Sequence, residues 1–250
     1  MKPTAFYMKD HLMYWSDSEP DTPHNHLASH LIFSLSDSVQ WKIEQDTVYS
    51  RGIYIPSDIN HFAIGQGNYL VFLFTNTSRY AYALKQKFTV QNQHYAILDD
   101  ELSITVQSLY SLHRDNPSYL DQFIMDKLEL PSNLQPDYDE RIAEAIRFVE
   151  NAESISPDML QQLSQHACLS ESRFSHLFKE QTDMTLNRFL SYEKLRKTFH
   201  LVLSGKNITE SCMLAGFSSP SHCATTCKKL FGISLKKLTF STASQEKEPS

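Results

Sequence analysis

Glycine is scarce in this chain, with six in 250 residues. That excludes collagen-like and glycine-rich low-complexity proteins, and it makes each glycine a position to explain. Cysteine is also sparse, and four in a chain this long do not make a disulfide scaffold. No apolar run approaches the roughly 20 residues of a membrane span. The opening stretch, Met1 to Asp10, lacks the apolar core of a secretory signal. A cytoplasmic protein without membrane contact is therefore expected. Neither sign of charge dominates: 23 Lys+Arg stand against 29 Asp+Glu, a net charge of −6.

A hydrophobic content of 41% fits a globular chain long enough for two cores. The first part has a β texture. Short runs recur at Leu31–Leu35, Val39–Glu44, Thr47–Tyr49, Gly52–Ile55, Phe62–Ile64 and Tyr69–Phe74. Turn clusters separate them, among them Ser36–Ser38, Gln45–Asp46, Pro56–Asn60 and Gly65–Gly67. Such spacing suggests a barrel or sandwich. Beyond Asp99 the periodicity becomes helical. Leu102, Val106, Leu109 and Leu112 share one face, as do Leu120, Phe123, Ile124 and Leu128. One of these stripes is expected to meet a second copy of the chain. The stretch Leu130–Tyr138, with two prolines, reads as a linker.

The last hundred residues carry one pattern twice: a helix, a tight turn, and a second helix that starts on serine. The copies run from Ser156 to Thr182 and from Asn207 to Gly232. In the second copy, Ile208–Leu214 reads as the first helix. Gly216 stands where the turn needs positive φ, and Phe217 plugs the space beneath. Ser219 caps the next helix and Pro220 takes its first position. Cys223, Cys227 and Leu230 fall on one face. In the first copy Ser170 caps, and Phe174, Leu177 and Phe178 face inward. A helix-turn-helix holds one exposed helix so that it can enter the major groove of DNA. The outward residues suit base edges and phosphates: Ser170, Ser172, Arg173, Ser175, His176 and Lys179, then Ser219, Ser221, His222, Thr225, Thr226, Lys228 and Lys229. Two such units in series point to a DNA-binding transcription regulator.

Residues 137 to 240 resemble the DNA-binding domain of the AraC/XylS family of bacterial regulators. The pieces that carry the resemblance are Leu169–Glu180, Phe189–Arg196, Ala215–His222 and Lys228–Ser234. The resemblance implies two recognition helices, about Ser170–Gln181 and Ser219–Leu230, set apart by a helix from about Thr185 to Leu203. It further implies double-stranded DNA, a small-molecule effector, a homodimer and RNA polymerase as partners. The chain departs from the pattern at several places. Asp183, Leu186 and Lys194 replace the usual Gly, Pro and Arg, and Thr225 lacks the family's arginine. His176 stands where the first unit often has an arginine. Since a bidentate arginine discriminates bases by about 1–3 kcal/mol, reading should be weaker here or aimed at other bases.

Charge separates accordingly. Residues 1–136 hold 9 basic against 15 acidic groups, and residues 170–240 hold 11 against 5. The segment that would face phosphate is positive. Cys223 and Cys227 read as small buried hydrophobes rather than a disulfide or zinc pair. His24, His26, His30 and His61 resemble the metal motifs of cupin barrels, with His30 in the usual glutamate position. Alternate strand residues share a face, so these imidazoles can converge on a transition metal. Equally, they can be hydrogen-bonded remnants in a barrel that binds an organic effector or nothing.

The expected architecture is α+β in two domains. A cupin-like sensor barrel spans 1–98, a helical dimerisation segment 99–130, and a linker 131–138. An all-α DNA-binding domain with two helix-turn-helix units joined by a long helix spans 139–240, and a flexible tail 241–250. The rival readings are a cupin metalloenzyme with a helical tail and an anti-regulator that has lost much of its DNA binding. The repeated helix-turn-helix favours a regulator over an enzyme.

Overall fold

The computed structural model describes residues 4–8, 11–17, 23–65, 67–88, 94–130, 136–231, 235 and 239–241. Most of the expected linker, the end of the Lys228–Ser234 motif and residues 242–250 of the expected tail lie outside them. The chain divides into two compact units. One joins residues 1–134 to 231–250, and the other is 135–230.

The first unit is built on two sheets. Its strands are β1 (Thr4–Tyr7), β2 (His11–Ser16), β3 (Ser29–Ser34), β4 (Val39–Ile43), β5 (Asp46–Ser50), β6 (Gly52–Ile55), β7 (His61–Ile64), β8 (Tyr69–Phe74), β9 (Ala96–Ile97) and β10 (Thr239–Ser241). Seven make one sheet in the order β10-β1-β2-β8-β3-β6-β9, and β5-β4-β7 make the other. Strands β3, β6 and β8 are buried along their whole length, which marks a sheet covered on both faces. Alternation assigns the faces. Met13, Leu31, Phe33, Leu70, Phe72 and Phe74 pack beneath three helices. Those are α1 (Arg79–Phe88), α2 (Asp100–His113) and α3 (Pro117–Lys127). The opposite face, with His30 on β3 and Tyr69 on β8, looks toward the small sheet. There Trp41 lies 5.9 Å from the Tyr69 ring.

The helices start where local chemistry directs. Asp99 accepts the Leu102 N–H and Asn116 the Tyr119 N–H, while Pro117 opens α3. Helix α1 was not expected from the sequence. Ser78 caps it by accepting the Ala81 N–H, and it buries Ala81, Ala83 and Leu84. The stripe turns inward: Leu120, Ile124 and Leu128 are buried, and the partly buried Phe123 packs against the same core as Ile124 and Leu128. On α2, Val106 is buried but Leu112 is 76% exposed. Only this outer part of α2 remains for the contact that the sequence suggested.

The second unit is all helical. Its elements are α4 (Glu140–Asn151), α5 (Met159–His166), α6 (Glu171–Thr182), α7 (Leu186–Leu203), α8 (Ile208–Leu214) and α9 (Pro220–Phe231). Helix α4 buries Ile142, Ala145, Ile146 and Val149 against Phe174, Leu177 and Phe178 of α6 and Phe189 of α7. Helix α7 has no single apolar face, because it is packed on several sides. Tyr192, Glu193, Leu195, Lys197, Thr198 and Phe199 are all buried. The buried Glu193 carboxylate meets Arg196 at 2.7 Å, and burial raises its pKa against the pull of that cation. Arg196 and Lys197 both donate to the Glu150 carbonyl near the end of α4. These cations satisfy a terminal carbonyl and tie α7 to α4. The chain was expected to stay in the helical domain to residue 240. Instead, β10 pairs in parallel with β1, Thr4 opposite Thr239. The open edge of β1 takes up this segment through backbone hydrogen bonds, which carry little sequence signal.

Candidate nucleic-acid interface and a histidine cluster

Both turns between paired helices close by the same backbone device. In the first, the Leu169 N–H reaches the Ser164 carbonyl and Cys168 reaches Gln165. In the second, Phe217 reaches Cys212 and Gly216 reaches Met213. This is the Schellman pattern, and it demands a left-handed residue at the turn. Gly216 supplies it at φ +99°, and Cys168 at φ +54°. A Cβ on Gly216 would also run into the Ile155 carbonyl oxygen, so that glycine answers to space as well as to dihedral angle.

The second helix of each pair starts alike. The Ser170 hydroxyl accepts the Arg173 N–H at 3.2 Å, and Ser219 accepts the His222 N–H at 3.1 Å. On α6, Ser172, Arg173, His176 and Lys179 are exposed, as is the capping Ser170, and Ser175 is half-buried. On α9, Ser221, His222, Thr225, Lys228 and Lys229 are exposed, while Thr226 and the capping Ser219 are half-buried. Each sequence-selected position is thus open to solvent at least in part. The inner faces are Phe174, Leu177 and Phe178 on one helix and Cys223, Cys227 and Leu230 on the other. None of the four cysteines forms a disulfide. Burial pushes the Cys223 thiol up, and the Cys227 thiol up to about 12. Protonated, buried thiols act as apolar packing. His222 meets the Ser218 hydroxyl at 3.0 Å, which fixes its ring near the turn.

The sequence placed the start of α7 near Thr185 but assigned it no role in the interface. Thr185 caps it by accepting the Arg188 N–H, and Asn187 follows. Together with Ser172, Ser175, His176 and Lys179 they line a groove of about 250 Å³. A helix N-terminus beside a lysine is a favourable place for an anion. The Thr-x-x-Arg sequence at the cap was the available signal.

The four histidines of the first unit do come together. The rings of His24 and His26 lie 4.6 Å apart, His24 and His61 4.6 Å, His26 and His30 4.7 Å, and His30 and His61 5.0 Å. His24, His26 and His61 each offer a ring nitrogen within 4.8 Å of the others. His26, His30 and His61 are buried, and His24 is half-buried. Burial, then neighbouring imidazoles, lowers His26 to about 2 and His30 well below the usual value. Burial lowers His61 to about 4, against a backbone contact to Ile59 that favours its charge. Neutral rings fit a transition-metal ion, and His26, His30 and His61 each keep a buried nitrogen without a hydrogen-bond partner.

The folded chain is, in class, a two-sheet unit joined to a helical unit that carries two helix-turn-helix pairs. Residues 163–239 match the family model described as a helix-turn-helix domain. Over 68 residues the chain is 32% identical to the arabinose operon regulatory protein of Escherichia coli (strain K12), a stretch that is 27% of this chain and 23% of that protein. The chain thus matches about a quarter of that relative's length. ToxT from Vibrio cholerae O395 superposes with a TM-score of 0.53 at 11% identity, over 90% of this chain and 94% of that one. ToxT bound to (E)-4-(8-methylnaphthalen-1-yl)but-3-enoic acid gives 0.52 at 10% identity, over 90% and 96%. The helical unit carries a helix-turn-helix domain of that description. Among the described residues, no helix is long and apolar enough to cross a membrane.

Proposed function

We propose that this chain is a DNA-binding transcription regulator of the AraC family, acting beside the bacterial chromosome in the cytoplasm. The observation that carries the reading is the repeated register. Two helices, each capped by serine three residues before the bonded N–H, turn polar and basic side chains outward. Helices α6 and α9 enter successive major-groove segments, which face one side of B-DNA about 34 Å apart per turn. Arg173 contacts a base edge. Lys179, Lys228 and Lys229 contact phosphates, and the groove at the start of α7 seats one more phosphate. The first unit, a cupin-like barrel in this reading, senses an effector, holds a homodimer through the outer face of α2, or both. A ToxT structure bound to an organic acid supports a small-molecule effector for a unit of this fold. RNA polymerase is the partner through which binding alters transcription.

The enzyme alternative loses ground because a cupin metalloenzyme has no use for two helix-turn-helix pairs. The anti-regulator alternative rests on the missing arginines at Thr225 and His176. One experiment decides between it and the regulator. Genomic fragments are selected on the full chain, and the best is titrated across salt concentrations. The regulator gives an enriched fragment whose log affinity falls linearly with log salt. No enrichment, with only weak sequence-independent binding, would favour the anti-regulator.

A further inference from the structure

We infer that His24, His26 and His61 bind one divalent transition-metal ion, with His30 as a fourth imidazole at the same centre. The backbone already holds the site. His24 and His61 exchange N–H···O bonds of 3.3 and 2.9 Å, and the Asp58 N–H donates to the His26 carbonyl at 2.8 Å. These backbone bonds therefore fix where the rings start. The His61 Nδ1 lies 2.8 Å from the Ile59 carbonyl, which places its proton there and leaves Nε2 with a lone pair. This is how a ligating imidazole is usually oriented, by a bond from its other nitrogen.

The remaining nitrogens make the case. His61 Nε2, His26 Nδ1 and His30 Nε2 are buried and have no hydrogen-bond partner. Buried polar atoms are satisfied in more than about nine cases in ten, so three together at one centre need a common explanation. An ion bonded to them supplies it. The donor set also selects the ion. Imidazoles without a carboxylate or thiolate suit zinc, nickel, cobalt, copper or ferrous iron, and are poor ligands for magnesium or calcium. The half-buried His24 gives the ion a way in. That such an ion would be the sensed signal rests on the regulator reading above; the site itself does not.

The test uses the full chain, stripped with a chelator and titrated with Co(II), whose visible bands report nitrogen coordination, and then with Zn(II). The expected result is one ion per chain, displacement of cobalt by zinc, and a melting temperature raised by added zinc. His26→Asn and His61→Asn should each weaken binding by at least about ten-fold, as losing a metal ligand does. The exposed His94→Asn should bind as wild type. Wild-type protein that takes up no cobalt, or that binds equally well in both cluster variants, overturns the site. If a cluster variant does not fold, the wild-type stoichiometry and spectrum decide alone. The readout involves no DNA. A chain that binds DNA but no metal overturns only the site, and one that binds metal but no DNA overturns only the regulator reading.

Discussion

Counted from their capping serines, Ser170 and Ser219, the two exposed helices share two buried inner positions and differ in what fills them. Four and eight residues on, α6 places Phe174 and Phe178, and α9 places Cys223 and Cys227. Outside, Arg173 corresponds to His222, His176 to Thr225, and Lys179 to Lys228. The first pair also leans on α4 through a shared core. In the second pair, Phe217 at the turn is the large inward side chain, where the first has only the half-buried Leu169. Backbone closure and capping are the same in both. A helix-turn-helix can therefore keep its geometry while its core volume and its reading residues vary separately.

The largest effect tests core volume. Phe178→Ala should cost about 3–5 kcal/mol, and Cys227→Ala, which removes one heavy atom, roughly 1 kcal/mol. Equal losses in thermal denaturation would break the comparison. Hydrogen exchange sharpens it, since amides of α9 should open more readily than those of α6.

Next comes the turn. Gly216→Ala must put a side chain at φ +99° and against the Ile155 carbonyl, and should cost about 1–3 kcal/mol. A fully stable variant would mean that the second turn is not closed as described.

The reading faces should differ on DNA. Arg173→Ala is expected to lose about 1–3 kcal/mol on a selected site, more than His222→Ala at the matching position. Lys179→Ala should weaken all sequences alike and lower the salt slope by about one. An inverted order for Arg173 and His222 would place base reading on the second helix.

A smaller change goes the other way. Cys168 holds a left-handed conformation at φ +54°, so Cys168→Gly should gain about 1 kcal/mol in denaturant unfolding. No gain would show that the first turn carries no strain.

The smallest effect is acid sensitivity. Arg141 holds the Asp139 carboxyl down at about 2, and Asp139 caps α4 beneath the first pair. Because the folded value lies below the ordinary one, its contribution is complete above about pH 4 and fades as pH falls toward 2. Arg141 is exposed and Asp139 only half-buried, so solvent screens the pair and the effect is small. The second pair's caps, Asn207 and Ser219, carry no charge, so Asp139→Asn should reduce acid sensitivity in the first pair, where Asp158 keeps a share of it, and leave the second unchanged.

Much of this was legible in the residues. Asn207, Gly216, Ser219 and Pro220 are local signals, and local signals decide caps and turns. Six of the ten strands among the described residues announced themselves by β-branched and aromatic runs. What escaped depends on partners far along the chain. Strand β2, with Met13, Tyr14 and Trp15, reads as a strand only when β8 lies beside it. Helix α1 has just three buried residues and gives a faint period. The histidine cluster was readable as spacing, whereas its tightness comes from the pairing of His24 with His61, which no spacing reports.

The parallel pairing of β1 with β10 has a consequence in time. Thr4 leaves the ribosome before the helical unit, and its partner Thr239 follows that entire unit. Until then the outer edge of β1 presents unpaired N–H and C=O groups, a template for wrong pairing with another chain. The first unit thus completes its sheet last. A nascent chain halted between α9 and β10 would carry all of its helices together with an open, adhesive edge.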